Sequence, residues 1–241
     1  MKKLTHLCIV AFLALTLGLM LPASLHANHF RYGTMSWEPV SDNGTHITIR
    51  LKMQNGWTAN HSEFRSSNDY DTFVSGYVGS IIEEYQRIKW GDGTANNVDF
   101  KIISRDNTTG TASSNCTSSN QSSAICTDST ISEMGDYASS TWTTGVTHTY
   151  PDNGTTEYVV YWGSTARQAT ENYPGSGVEW RNETKVNIGG TYDGNSSPVS
   201  AVPPIVQVQD NKTFTYQLVS TDANGDSLNY RWGTYAEFFA S

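Results

Sequence analysis

Short runs in which apolar and polar residues alternate constrain the fold of this 241-residue chain more than any other feature. The clearest run, His46–Met53, places its apolar side chains on one face of a strand, because successive side chains of a strand point to opposite sides. These side chains are Ile47, Ile49, Leu51 and Met53. The runs Glu157–Trp162 and Phe214–Val219 are rich in the aromatic and β-branched residues that strands favour. The sequence therefore predicts strands at these three places.

Asx-Gly turn signals separate the runs, and no sustained 3.6-residue apolar period indicates a helix. The signals are Asp42–Gly44, Gly91–Gly93, Asp152–Gly154, Asp193–Gly194 and Asn224–Gly225. Such pairs favour tight turns, because glycine adopts backbone angles that other residues avoid. Short strands between turns of this kind predict an all-β, antiparallel β-sandwich.

The first 27 residues have the layout of a secretory signal peptide. Lys2 and Lys3 give a positive start, an apolar run follows from Cys8 to Met20, and Ala27 supplies a small residue for cleavage. A membrane anchor is the alternative, but the apolar run is shorter than the ~20 residues that span a bilayer. Nothing after Ala27 is apolar enough to span one. We therefore expect export, with the mature chain beginning at Asn28.

Charge narrows the range of partners. Removal of the leader takes away two lysines and no acid, so the formal charge changes from −8 to −10. A chain this acidic has no electrostatic attraction for nucleic acid or for an anionic membrane. The expected partner is instead an extracellular polysaccharide or a surface protein.

Composition divides the mature chain into units. A first domain, residues 28–190, contains a loop at about 104–140 that is crowded with Ser, Thr, Asn and Gly. Cys116 and Cys126 lie in this loop without further metal ligands nearby, and in an oxidising compartment they predict a local disulfide. Residues 191–204 are predicted to be an extended linker. Residues 205–241 are too few for a complete sandwich of about 100 residues, so either the sequence stops early or another chain supplies a strand.

Two motifs in the first domain carry a family resemblance. Ile88–Thr94 contains Trp-Gly-Asp-Gly-Thr, and Val146–Thr155 contains His-Thr-Tyr-Pro-Asp-Asn-Gly, followed by the aromatic strand Tyr158–Trp162. In this order they resemble the PKD-type domains of bacterial surface proteins and secreted enzymes. The resemblance covers Ile81–Trp162 and implies an immunoglobulin-like sandwich. It also implies that the Gly-Asp-Gly turn is structural and that Asp92 is not a functional residue.

A calcium-type signal lies in the second unit, within Ser220–Tyr230. Asp222, Asn224 and Asp226 place three oxygen-bearing side chains at alternating positions, and calcium binds several oxygens at about 2.3 to 2.6 Å. An EF-hand is excluded, because Gly233 stands where that motif has its glutamate. The segment resembles the cadherin-like repeats of bacterial adhesins, in which such turns contribute to calcium sites near domain junctions. A solvated hairpin turn without metal is the alternative.

Tryptophans offer a second kind of binding signal. Exposed aromatic rings can stack on sugars, whereas most aromatic side chains fill cores. Trp57 and Trp142 lie in polar surroundings and are the predicted surface contacts for a ligand. Trp90, Trp162 and Trp232 lie within or at the ends of predicted strands, and we expect them in the core.

Catalysis finds little support in the sequence. It contains no Gly-x-Ser-x-Gly elbow, no His-Glu-x-x-His and no phosphate-binding glycine loop. A copper-holding histidine brace would require cleavage after Asn28, so that His29 becomes the first residue. We therefore expect a non-enzymatic, exported adhesion or structural spacer protein, stiffened by calcium. A carbohydrate-binding module protein is the first alternative, and a secreted polysaccharide-active enzyme is the second.

Overall fold

The computed structural model describes residues 30–58, 78–83, 87–106, 129–154, 156–164, 179–201, 208–209, 211–234 and 237. The predicted signal peptide and the predicted disulfide between Cys116 and Cys126 lie outside these ranges. Within them, no helix has the length and apolar character needed to cross a membrane. The predicted all-β class is confirmed.

The described ranges contain thirteen strands, numbered in chain order. They are β1 (Phe30–Asp42), β2 (His46–Thr58), β3 (Ile81–Glu83), β4 (Ile88–Lys89), β5 (Ala95–Asn96), β6 (Asp99–Asp106), β7 (Ser129–Ala138), β8 (Thr141–Thr144), β9 (Val146–Pro151), β10 (Thr156–Ser164), β11 (Trp180–Ile188), β12 (Val199–Ser200) and β13 (Ser220–Thr221).

All strand pairs within the described ranges are antiparallel, and the described strands of the first domain form two sheets. The larger sheet has the order β1-β2-β7-β6-β3, with β8 beside β7 and β9 beside β2. The smaller sheet has the order β11-β10-β4-β5. The remaining strands pair with each other, and β12 lies in the predicted linker whereas β13 lies in the second unit. The two sheets of the first domain enclose one hydrophobic core, as in a β-sandwich.

Strand β2 shows how the alternating pattern builds this core. Ile49 and Leu51 are fully buried, and Ile47 and Met53 are almost so. The intervening residues face outward, where Lys52 donates to the carboxylate of Glu38 on β1 at 2.9 Å. The inward face predicted from the sequence is therefore confirmed.

The aromatic centre of the core includes Trp57, so the prediction that this residue is exposed is wrong. Trp57 is 2 % exposed, and its ring lies edge-on to Trp162 and Trp180, with centroids 6.3 and 5.7 Å away. Polar neighbours suggested a surface position, but Asn55 also points into the sandwich and is buried. Trp57 therefore has no free face on which a ligand can stack. The core positions predicted for Trp90 and Trp162 are confirmed.

Strand β7 occupies part of the predicted polar loop, which therefore does not extend to residue 140. Its inward residues Ser132 and Met134 are fully buried between β2 and β6. The hydroxyl of Ser132 donates to the side-chain oxygen of buried Asn55, and this bond offsets the cost of removing both groups from water. Because β7 has a serine on its buried face, its composition resembles that of a loop. This is why the sequence predicts a loop that extends to residue 140.

The second unit is less regular than its sequence predicts. Residues Phe214–Val219 form no strand, and β12 with β13 is the only ladder of this unit within the described residues. Trp232 is 94 % exposed, so the prediction that it lies in the core is wrong. A strand needs a neighbouring strand to pair with, and a core residue needs an opposing sheet to pack against. The described part of the second unit supplies neither for Phe214–Val219 or for Trp232.

Candidate functional site

Three Asx-Gly turns meet at one end of the sandwich. Asp42 ends β1, Asp152 follows β9, and Asp193 follows a 3₁₀ turn at Gly190–Tyr192. One oxygen from each carboxylate lies within 4.8 Å of the other two. Asp42 and Asp193 are exposed and Asp152 is half-buried. Carboxylates this close repel one another, and their combined field attracts cations.

Glycine allows the turns to approach one another. Asp152 Oδ1 accepts the N–H of Gly154 at 3.2 Å, and Gly189 packs directly against this turn with φ +80°. A Cβ on Gly189 would lie 2.2 Å from the Gly154 carbonyl oxygen and 2.6 Å from Asp152 Oδ1. The sequence marks each turn separately, but only the fold brings together residues that are far apart along the chain.

The described part of the predicted linker, residues 191–201, is docked rather than free. The Ser197 N–H donates to the Trp37 carbonyl at 2.9 Å, and the Trp37 N–H donates to Ser197 Oγ at 2.7 Å. The buried indole of Trp37 donates to the Lys185 carbonyl at 2.8 Å. Trp37 therefore joins β1, β11 and the linker at one point.

The predicted calcium turn also contacts this linker. Asn224 Oδ1 accepts the N–H and the hydroxyl of Ser196 at 3.0 and 2.8 Å, and Asn224 Nδ2 donates to the Gly194 carbonyl at 3.1 Å. Asp222 Oδ1 accepts the N–H groups of Asn224 and Asp226 at 2.9 and 3.0 Å. The turn is thus held in shape by Asp222 and held to the linker by Asn224.

These hydrogen bonds limit what the turn can offer to calcium. The Asn224 amide oxygen already accepts two hydrogen bonds, and one oxygen of Asp222 is already shared by two N–H groups. Asp226 accepts no hydrogen bond from any residue in the described ranges. Two carboxylates therefore remain where calcium takes six to eight oxygens, so calcium binding by Asp222, Asn224 and Asp226 stays a prediction that needs ligands from outside this turn.

A cleft of about 760 Å³ opens beside this joint. Its walls come from β11, with Lys185 among them, from the linker, and from the second unit, with Asp226 and Tyr230 among them. Most of its lining residues are polar or charged in type. The hydrogen bonds between Asn224 and Ser196 lie beside it.

The two motifs that resemble PKD-type domains come together between the sheets. His148 Nε2 donates to Asp92 Oδ2 at 2.8 Å, and its ring stacks on Trp90 with centroids 4.4 Å apart. The Tyr150 hydroxyl donates to the Trp90 carbonyl at 2.8 Å. Asp92 also accepts the N–H and hydroxyl of Thr94 at 2.9 and 2.6 Å. These contacts tie the smaller sheet, through the turn after β4, to β9 of the larger one.

Acid is expected to weaken this contact. Burial by itself raises the pKa of Asp92, but hydrogen bonds from Thr94 and His148 outweigh it and hold the pKa below its usual 3.8. A carboxyl with a lower pKa in the folded state stabilises the fold above its unfolded pKa, and that contribution is lost as the pH falls through the folded pKa. Urea unfolding between pH 7 and pH 2 should therefore show a smaller acid-induced loss of stability in Asp92→Asn than in the wild type.

At neutral pH, Asp92→Asn should lower the free energy of unfolding by about 1 kcal/mol, the contribution of a typical hydrogen bond. Asp136→Asn is the matched control, because it removes an exposed carboxylate from β7. It should retain the wild-type dependence of unfolding free energy on pH. If the free energy of unfolding of Asp92→Asn changed with pH in the same way as that of the wild type and of Asp136→Asn, the stabilising role of this carboxylate would be contradicted.

Of the two tryptophans predicted to contact a ligand, only Trp142 lies at the surface. It is half-buried on β8, where its indole N–H donates to Glu133 Oε1 at 3.0 Å and to Thr144 Oγ1 at 3.2 Å. Its ring covers Gly135, since a Cβ at that position would lie 2.4 Å from a ring carbon.

Comparison with known proteins shows limited similarity. No family model and no solved structure matches the chain. Integrin beta-like protein B of Dictyostelium discoideum is 28 % identical over 218 residues, which cover 86 % of this chain and 9 % of that protein. The chain therefore spans less than a tenth of the length of this curated relative.

Proposed function

We propose that this chain is an exported structural or adhesive protein in which the first domain and the second unit act as a rigid spacer outside the cytoplasm. The observation that supports this most directly is the docked linker, which hydrogen-bonds to Trp37 of the first domain and to Asn224 of the second unit. A spacer keeps its two units in a fixed arrangement only if the joint between them is rigid. A free linker would let the two units move independently.

Two further observations agree with an extracellular role. The chain is acidic, with the composition of a protein that stays soluble rather than binding nucleic acid. The relative from Dictyostelium discoideum is named as an integrin beta-like protein, and that name fits a surface or adhesive setting. A secreted polysaccharide-active enzyme remains the least supported alternative, and His29, on which it depends, lies outside the described residues.

Calcium is part of this proposal as a stiffening ligand of the joint. Asp226 is the residue to test, because changing Asp222 or Asn224 also breaks hydrogen bonds that hold the turn without metal. A ligand that binds only the docked joint stabilises it by mass action.

The experiment measures cleavage of residues 195–204 by papain, a protease that needs no calcium, with mass spectrometry locating the cuts. In EDTA, Asn224→Ala should be cut at least tenfold faster than the wild type. It loses three hydrogen bonds of about 1 kcal/mol each, and about 1.4 kcal/mol corresponds to a factor of ten in the open population. Asn229→Ala, an exposed asparagine of the same unit, should be cut at the wild-type rate.

The calcium arm repeats the assay at millimolar calcium. Wild-type cleavage should slow, Asp226→Asn should remove this effect, and Asp136→Asn should keep it. Equal rates for Asn224→Ala and Asn229→Ala in EDTA would overturn the rigid spacer. If the wild type were cleaved at the same rate with and without calcium, the metal would be removed from the proposal and the hydrogen-bonded joint would remain.

A further inference from the structure

The outer face of the larger sheet carries aromatic side chains at two directly opposed positions. Tyr137 of β7 and Trp142 of β8 are cross-strand partners, so their side chains leave the sheet on the same face, with the Trp142 ring turned toward Gly135 and Glu133. This is the outer face, because the alternate residues Ser132 and Met134 of β7 point into the core. Tyr137 is 47 % exposed. We call Tyr137 and Trp142 the aromatic platform.

The orientation of the Trp142 ring is fixed by its surroundings. Its N–H is held by Glu133 and Thr144, and one part of its surface rests on Gly135. The ammonium of Lys101 lies 5.7 Å from the ring centroid. A ring that is already immobilised loses little side-chain freedom when it binds a ligand.

Polar groups surround the platform on the two neighbouring strands. Lys101 of β6 is directly opposite Glu133 of β7, and Asp99 of β6 accepts the N–H of Tyr137 at 3.1 Å. Together with Thr144, these residues place hydroxyl and carboxylate groups beside the rings, and the Lys101 ammonium lies over the Trp142 ring. The strands β8, β7 and β6 span two inter-strand spacings, or about 10 Å, which is wide enough for linked pyranose rings.

The size of this surface favours a small or linear ligand over a folded protein. A fully covered aromatic side chain buries about 150 to 250 Å². Because Tyr137 is only 47 % exposed and Trp142 is half-buried, the two rings together offer well under half of the roughly 800 Å² that each partner contributes to a standard protein interface. The surface around the rings is also polar. A sugar ring suits it, because its C–H face packs on the electron-rich face of an aromatic ring while its hydroxyls reach the flanking polar groups.

Charge decides which glycans fit. Lys101 is accompanied by the carboxylates of Glu133 and Asp99, and the chain as a whole carries a net charge of −8. A polyanionic glycan would be repelled by this field, whereas a neutral one can use all three groups as hydrogen-bond partners.

We propose that the aromatic platform, with Lys101, Glu133 and Asp99 beside it, binds a neutral polysaccharide. This activity goes beyond the spacer role and does not depend on the joint or on calcium. It attaches the first domain to a glycan matrix through the face of the larger sheet.

The test is affinity electrophoresis of the full chain in native gels that contain hydroxyethyl cellulose, xylan, mannan or β-1,3-glucan, together with pull-down on insoluble cellulose and chitin. Wild type should be retarded or retained by at least one of these neutral glycans and not by alginate or heparin. Tyr137→Ala should weaken this binding at least tenfold without changing the melting temperature, because the side chain is exposed. Tyr192→Ala, which truncates an exposed tyrosine elsewhere (38 %), should bind like the wild type.

Trp142 requires a paired variant, since its ring also covers Gly135. Trp142→Ala should abolish binding and lower stability, whereas Trp142→Phe should retain a ring and part of the affinity. Absence of binding to every neutral glycan tested would overturn the proposal. Wild-type affinity in Tyr137→Ala, or binding confined to alginate and heparin, would overturn it as well.

Discussion

Replacing Trp162 with alanine should lower the free energy of unfolding by about 3 to 5 kcal/mol, the range found when large aromatic side chains are removed from cores. Trp162 is fully buried on β10, and its ring meets those of Trp57, Trp180 and Phe100 at centroid distances of 6.3, 5.0 and 5.3 Å. These neighbours come from both sheets, so no single strand can shift to fill the space. Urea unfolding followed by tryptophan fluorescence and circular dichroism measures the loss.

Trp232→Ala is the matched control for this variant. It removes the same side chain from a position that is 94 % exposed, so its effect should stay within about 0.5 kcal/mol. Domains of this size are stable by only about 5 to 15 kcal/mol, so Trp162→Ala should remove a large share of the stability of the first domain. Similar costs for the two substitutions would contradict the arrangement of the core.

Gly91→Ala should be unusually damaging for a substitution that adds a single methyl group. Gly91 has φ +81°, and a Cβ there would lie 2.7 Å from the carbonyl oxygen of Val159 and 2.9 Å from its nitrogen. The left-handed conformation alone costs a residue with a Cβ about 1 to 2 kcal/mol. Because the clash is with the backbone of β10, which no rotamer change can relieve, we expect a total of about 3 kcal/mol or more.

Gly93→Ala separates the two causes. Gly93 also has a positive φ, +90°, but nothing lies within 4 Å of the position of its Cβ. It should therefore show only the conformational cost of about 1 to 2 kcal/mol. Equal losses for Gly91→Ala and Gly93→Ala in urea unfolding would show that the turn does not pack against β10 as described.

The two glycine substitutions also bear on why the Trp-Gly-Asp-Gly-Thr motif has its residue order. Gly91 lets the turn approach β10, Asp92 reaches His148 on β9, and Trp90 lies beneath both His148 and Tyr150. The turn therefore contacts both sheets at once. Each residue type has a physical task in holding the sandwich together.

Local patterns were sufficient for the all-β class and for the inward face of β2. The side-chain period of a strand is a property of a few consecutive residues, so Ile47, Ile49, Leu51 and Met53 could be assigned to the core without knowing what packs against them. The turns at Asp42, Asp152 and Asp193 were likewise visible one at a time. Short-range chemistry determines these features, and the sequence contains all of it.

Only the tertiary structure decided which polar-looking segments are buried and which turns meet. Trp57 and β7 are buried because strands from elsewhere in the chain lie on both sides of them, and their own neighbours in sequence are polar. Asp42, Asp152 and Asp193 converge, and Asn224 docks on Ser196, because of the order in which the strands pair. Burial and convergence depend on the register and topology of both sheets. The sequence around each residue does not indicate which distant residues will lie next to it.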